Sequence, residues 1–233
     1  MSKKHDFYYY SISCLEELPF IVHGFGTKFL TELKLKNYMK GKNLNFLSLK
    51  QIHSDIIRYV DVFPGEKLEG DAIVTSSPGI LLIIKTADCL PVFIVSKNRR
   101  VVAAVHCGWR GIQRQLIQKV VSGLNNFYAC EPDACIVAMG PSICGDCYEI
   151  GQDVYESFVR AHVSLQAFRR HPWREGKWFL DLKGAVRSQL IHAGVKNASI
   201  HSVDICTHCE ENLISYRRDA HTKRRLLNFI GLS

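Results

Sequence analysis

The chain has 233 residues, 47% of them hydrophobic, and a formal charge of +8 at pH 7. That is long enough for one large core, and no apolar run approaches the roughly 18 residues of a bilayer span. The basic balance suits an anionic partner such as phosphate, a nucleotide or nucleic acid, without choosing among them.

The N-terminus, MSKKHDFYYYSISC, has neither an apolar h-region nor a small-residue cleavage site, so a cytoplasmic location is expected. The aromatic cluster within the first 20 residues reads as an edge strand, and Pro19–Phe25 as a second short strand. Lys28–Lys42 is basic and weakly patterned, a helix or a loop. Strands are expected at Phe46–Leu49 and Ile56–Val62, on either side of Gln51-Ile52-His53-Ser54. A denser group follows at Ala72–Thr75, Ile80–Lys85, Val92–Val95 and Val101–His106, rich in Val and Ile. Beyond Trp109 the period changes: Ile112, Leu116, Val120, Leu124 and Phe127 recur as one amphipathic helix. Ala134–Met139 reads as a buried strand and Ile150–His162 as a helix. Leu182–Ala193 reads as a helix N-capped by Asp181 and stopped by Gly194. Ser199–Ile205 and Leu226–Ile230 complete the strands. Strands and helices mix without strict βαβ alternation, so the fold class is α+β, a single domain over 1–233.

Two of the apolar runs end in reactive side chains rather than in turn residues. Ile80–Ile84 lead into Thr86-Ala87-Asp88-Cys89, and Val101–Val105 lead into His106-Cys107-Gly108-Trp109-Arg110-Gly111. With His53, Cys89 and His106 make two imidazoles and a thiolate near predicted strand ends, so three strands of one sheet would bring them together. Three such ligands are the count of a catalytic zinc site, which keeps a fourth position open. Asp88 and Arg110 add an acid and an anion-binding group beside them. The competing reading is plain packing, since buried free cysteine and hydrogen-bonded core histidine are common. The glycine turn into Trp109-Arg110 suits an oxyanion, and equally suits a packing turn.

Nine cysteines in a chain without an export signal are expected to stay reduced. Two CxxC pairs, Cys144/Cys147 and Cys206/Cys209, are separated by far more than the gap of a zinc ribbon, and no thioredoxin-like βαβ pattern surrounds them. They read as incidental thiols, with a four-cysteine zinc site and a redox pair as alternatives. The tail residues Arg217, Arg218 and Lys223–Arg225 are basic, but no nucleic-acid module accompanies them. Walker A, GxGxxG, GxSxG and the HxE…PCxxC deaminase signature are absent. So are the HxH pairs of a multicopper cluster.

Several blocks in order, from about residue 20 to about residue 225, resemble the YfiH-like laccase-domain family. They are Gln51-Ile52-His53-Ser54, Gly70-Asp71-Ala72, Thr86–Val92, Val105–Gly111, Gly140–Ile143 with Tyr148–Gly151, and Ser215–Asp219. The resemblance implies an α/β/β/α sandwich with mixed sheets and a metal, zinc or from the family's name copper, on His53, Cys89 and His106. It implies phosphorolysis of adenosine, inosine and methylthioadenosine to base and ribose 1-phosphate, together with adenosine deamination. Catalytic roles then fall to Cys89, Asp88 as proton shuttle, and His106, and substrate contacts to Arg110, Gln51 and Arg217. The partners expected are a nucleoside and phosphate, with no nucleic acid or membrane, in a monomer or weak homodimer. The alternative is a Cys/His hydrolase or amidase using Cys89 on a peptidoglycan precursor; copper polyphenol oxidation is the weakest enzyme reading. Cys107 stands where the family usually has alanine, and either competes for metal or packs.

Overall fold

In the computed structural model, which describes residues 1–5, 7–220 and 222–233, the chain opens with β1 (Ser2–His5) and β2 (Tyr9–Ile12). A short α1 (Ser13–Glu16), β3 (Ile21–Gly26) and α2 (Glu32–Tyr38) follow, and the Thr31 side chain caps α2 by accepting from Lys34 N. Next come β4 (Asn45–Ser48), β5 (Ile57–Tyr59) and β6 (Ala72–Thr75). The central strands are β7 (Ile80–Thr86), β8 (Leu90–Ser96) and β9 (Val101–Cys107). The expected single helix after Trp109 is two: α3 (Trp109–Gln113) and α4 (Leu116–Tyr128), broken at Gln115 in the left-handed region, φ 58°. Apolar periodicity reports which face is buried, not whether the backbone continues.

The second half holds β10 (Cys135–Met139), β11 (Glu149–Gly151), α5 (Gln152–Arg160), β12 (Phe168–Arg170) and β13 (Lys177–Leu180). It ends with α6 (Leu182–His192), β14 (Ile200–Ser202) and β15 (Leu226–Leu232). Asp181 stands at the N-cap of α6, as expected, but its side chain makes no capping hydrogen bond. The strand expected at Ser199–Ile205 is only three residues long.

One sheet runs β1-β2-β3-β15-β7-β4 and the other β14-β10-β8-β9-β6-β5; both mix parallel and antiparallel pairs. A three-stranded sheet, β11-β13-β12, lies apart from them. Period-two alternation assigns the layers. Phe93 and Val95 of β8, Val102 and Ala104 of β9, and Leu82 and Ile84 of β7 share the inter-sheet core, where the Phe25 and Phe93 rings stack at 4.6 Å. Leu90, Val92, Ile94, Val101, Ala103 and Val105 face the other way, against α4 and α6. Leu81 and Ile83 pack with Leu35 of α2 on the outer side of the first sheet. The order is helix, sheet, sheet, helix, the α/β/β/α sandwich expected. No helix among the described residues is long and apolar enough to cross a membrane.

Candidate metal and substrate site

The chain crosses between the two large sheets at residues 87–89, and the candidate site forms there. His106 is on β9 of the second sheet, Cys89 lies in the crossover, and His53 sits in the loop after β4 of the first sheet. The three converge from both sheets and a loop, not from three strands of one sheet as the sequence suggested. One donor atom from each lies within 4.8 Å of the others. The Cys89 sulfur is 4.0 Å from His53 Nε2, and the two imidazoles meet edge to face at 4.9 Å between centroids.

Asp71 organises this cluster; the sequence placed it in the Gly70-Asp71-Ala72 block but gave it no role. It is fully buried immediately before β6. His106 Nδ1 donates to its carboxylate at 2.8 Å, leaving Nε2 as the ring nitrogen available to a metal. The same carboxylate accepts from the backbone N–H of His53 at 3.1 Å and from the N–H and hydroxyl of Ser54 at 2.5 and 2.6 Å. It thereby supports the loop in which His53 takes a left-handed conformation, φ 56°. The available sequence signal was an acid placed directly before an all-apolar strand, where only a fully partnered carboxylate is tolerated.

Burial would raise the Asp71 pKa, but the hydrogen bonds from His106 and Ser54 outweigh it and bring the group down to about 2. Burial likewise opposes ionisation of Cys89, yet the charge of His106 and hydrogen bonds from both imidazoles draw the thiol well below its usual range. His106 moves up in turn: desolvation is outweighed by the Cys89 thiolate and Asp71. A thiolate beside two orientable imidazoles is a donor set that fits zinc. Gly108 leaves room for it, since a Cβ there would stand 3.0 Å from His53 Cδ2 and 3.3 Å from Cys89 Sγ. Cys107 belongs to the other side: buried against Ile112 and Leu116 on the helix-facing surface of β9, it packs and does not compete for metal.

Above the cluster opens a cleft of about 720 Å³, lined by His53, Cys89, His106, Gln51, Asp88, Tyr148 and both Arg110 and Arg217. Lys85 and Arg225 also face it, so its lining carries four basic side chains against one acid. Arg110 lies over the Trp109 ring at 4.4 Å. Arg217 donates to the Glu149 carbonyl at 2.8 Å. Among the described residues neither guanidinium pairs with a carboxylate, which leaves both available to an anion.

Two expected roles change with this geometry. Gln51 reaches the cleft wall, but its amide is engaged with Lys85, donating to the carbonyl and accepting from the N–H, each at 2.8 Å. It ties the His53 loop to β7 rather than offering a free head group. Asp88 was read as a proton shuttle. Its carboxylate accepts from Thr207 Oγ1 at 2.6 Å, Arg217 N at 2.7 Å and Ser215 Oγ at 3.1 Å. At φ 80° and with three donors, it acts as a brace that fixes the C-terminal loop against the crossover.

This fold recurs in known proteins. The profile of a family described as multi-copper polyphenol oxidoreductase laccase matches residues 32–233, and the chain belongs to that family. Over 81% of its length it is 38% identical to a purine nucleoside phosphorylase of Deinococcus radiodurans, covering 70% of that protein. Over 65% of its length it is 39% identical to adenosine deaminase RL5 of an unknown prokaryote, covering 58% of that protein. The crystal structure of YlmD from Geobacillus stearothermophilus matches with a TM-score of 0.88 at 26% identity, over 99% of this chain and 98% of that one.

Proposed function

We propose that the chain is a metal-dependent purine nucleoside phosphorylase that also deaminates adenosine. The observation that carries the reading is the basic cleft opening directly over the His53, Cys89 and His106 cluster. Arg110 and Arg217 hold phosphate through guanidinium groups that pair with no carboxylate among the described residues. Apolar wall residues, Leu49, Ala87, Ile143 and Leu182, give the purine and ribose a dry seat. Tyr148 lines the same cleft, and burial raises its pKa, so its hydroxyl remains a hydrogen-bond donor for the departing base at neutral pH. His53, Cys89 and His106 would hold zinc, which when bound supplies Lewis acidity and an activated water for attack at purine C6. The relatives named purine nucleoside phosphorylase and adenosine deaminase support the same pair of reactions.

The test is incubation of zinc-loaded protein with adenosine, with and without phosphate, followed by chromatography. Adenine and ribose 1-phosphate are expected only with phosphate, and inosine in both. His106→Ala is expected to remove either activity by at least ~100-fold, as loss of a metal ligand should. If neither product forms, the proposal fails. The Cys89 thiolate beside His53 favours one other reading, a thiol hydrolase. A metal-free protein inactivated by a single thiol alkylation would decide for it.

A further inference from the structure

The two CxxC pairs, read as incidental from their separation in sequence, are brought together in space. We propose that Cys144, Cys147, Cys206 and Cys209 hold a structural zinc ion, separate from the His53, Cys89 and His106 cluster. All four sulfurs lie within 4.8 Å of one another, and Cys147 Sγ is 3.5 Å from Cys209 Sγ. A tetrahedron with zinc–sulfur bonds of about 2.3 Å has sulfur–sulfur edges of about 3.8 Å. The observed cluster brackets that size.

The backbone around the sulfurs is arranged as a pair of ligand turns. The first is closed by Cys147 N and Tyr148 N, both donating to the Cys144 carbonyl at 3.0 Å, and the second by Glu210 N to the Cys206 carbonyl at 2.9 Å. An isolated parallel bridge, Ser142 to Cys206, sets the two segments side by side. Cys144 N donates to the Cys206 sulfur at 3.3 Å. Four thiolates in a closed set are the donors of a structural zinc site.

The location gives the ion a task. Ile143 N, one residue before the first turn, donates to the Asp88 carbonyl at 3.0 Å. Thr207, inside the second turn, donates to the Asp88 carboxylate, as do Ser215 and Arg217 further along. Zinc would clamp together the two segments that carry Ile143, Tyr148 and Arg217 into the cleft wall. Its role is positional, and it does not depend on which reaction the cleft performs.

The experiment is zinc counting on protein purified without a metal-affinity tag. The His53→Ala/Cys89→Ala/His106→Ala variant, with its cleft ligands removed, is expected to retain one equivalent of zinc. X-ray absorption at the zinc edge of that variant should show four sulfur neighbours at about 2.3 Å. Cys144→Ser/Cys147→Ser should contain one equivalent less than wild type, and its amides at 206–217 should exchange faster with deuterium. Because the triple variant keeps every proposed ligand, the result stands even if the double variant does not fold. Zinc-free triple variant with four alkylatable thiols here, disulfides in their place, or iron instead of zinc would each overturn the proposal.

Discussion

Asp71 carries more of the site than any of the residues it positions. It hydrogen-bonds both the His106 ring and the backbone of the His53 loop, so its charge and its geometry act together on the candidate ligand set. Asp71→Asn keeps the shape, removes the charge and one acceptor, and leaves all three ligands in place. Zinc affinity of the cleft site, measured by chelator competition, should fall by ~10–100-fold, the usual effect of losing such a support. Stability should respond as well. The group's pKa is depressed to about 2 in the folded protein, so its contribution is complete above the ordinary aspartate range and is lost as pH falls through the folded value. A shift of that size corresponds to about 2 kcal/mol. Denaturant titrations between about pH 4 and pH 2 should therefore show a steeper loss of stability in wild type than in Asp71→Asn, and equal slopes would remove Asp71 from this role.

At the scale of elements, β6 and the central strands were legible because each is a run of Val, Ile and Leu whose alternate residues face two different cores. The three-stranded sheet was not. Its strands are three or four residues long and include Arg169, Arg170 and Lys177, and Glu149 beside them gathers Arg174 at 2.6 Å and His171 at 3.6 Å. No apolar pattern announces pairing of that kind. His53 was legible as a candidate ligand but not as a left-handed loop residue, because that loop is held by hydrogen bonds to Asp71, 18 residues further along the chain. The cysteine pairs were dismissed on their separation, which sequence counts and a sheet can cancel. The break between α3 and α4 offers a direct test. In a continuous helix Gln115→Gly would cost about 1 kcal/mol. At φ 58° the sign should change, because glycine relieves about 1 kcal/mol of left-handed strain while losing a comparable amount of chain entropy. Gln115→Gly is expected to be neutral or slightly stabilising by urea denaturation, and Gln115→Val to cost about 1–2 kcal/mol.

For the whole molecule, the sandwich explains why the charge matters where it does. The net +8 was equally compatible with nucleic acid, nucleotide or phosphate, and the fold resolves part of that excess into one concavity. Lys85, Arg110, Arg217 and Arg225 come from β7, α3 and the C-terminal loops, yet line the same cleft. Lys85 is offset by Glu32 at 2.7 Å, so the field at the cleft rests mainly on the three arginines. A cleft with apolar walls focuses that field on a small anion, and salt weakens it because the mouth is open to solvent. The KM for phosphate should therefore rise several-fold between about 0.05 and 0.5 M NaCl, while kcat stays near constant. Arg110→Gln should raise the KM at low salt by ~10-fold and flatten its salt dependence, since one charge-assisted contact of about 1.5 kcal/mol has gone. Lys50→Gln removes a charge of the same sign outside the cleft, where it pairs with Glu69, and should leave both quantities unchanged. A salt response equal in the two variants would mean that the anion is steered by the molecule's overall charge and not by the cleft.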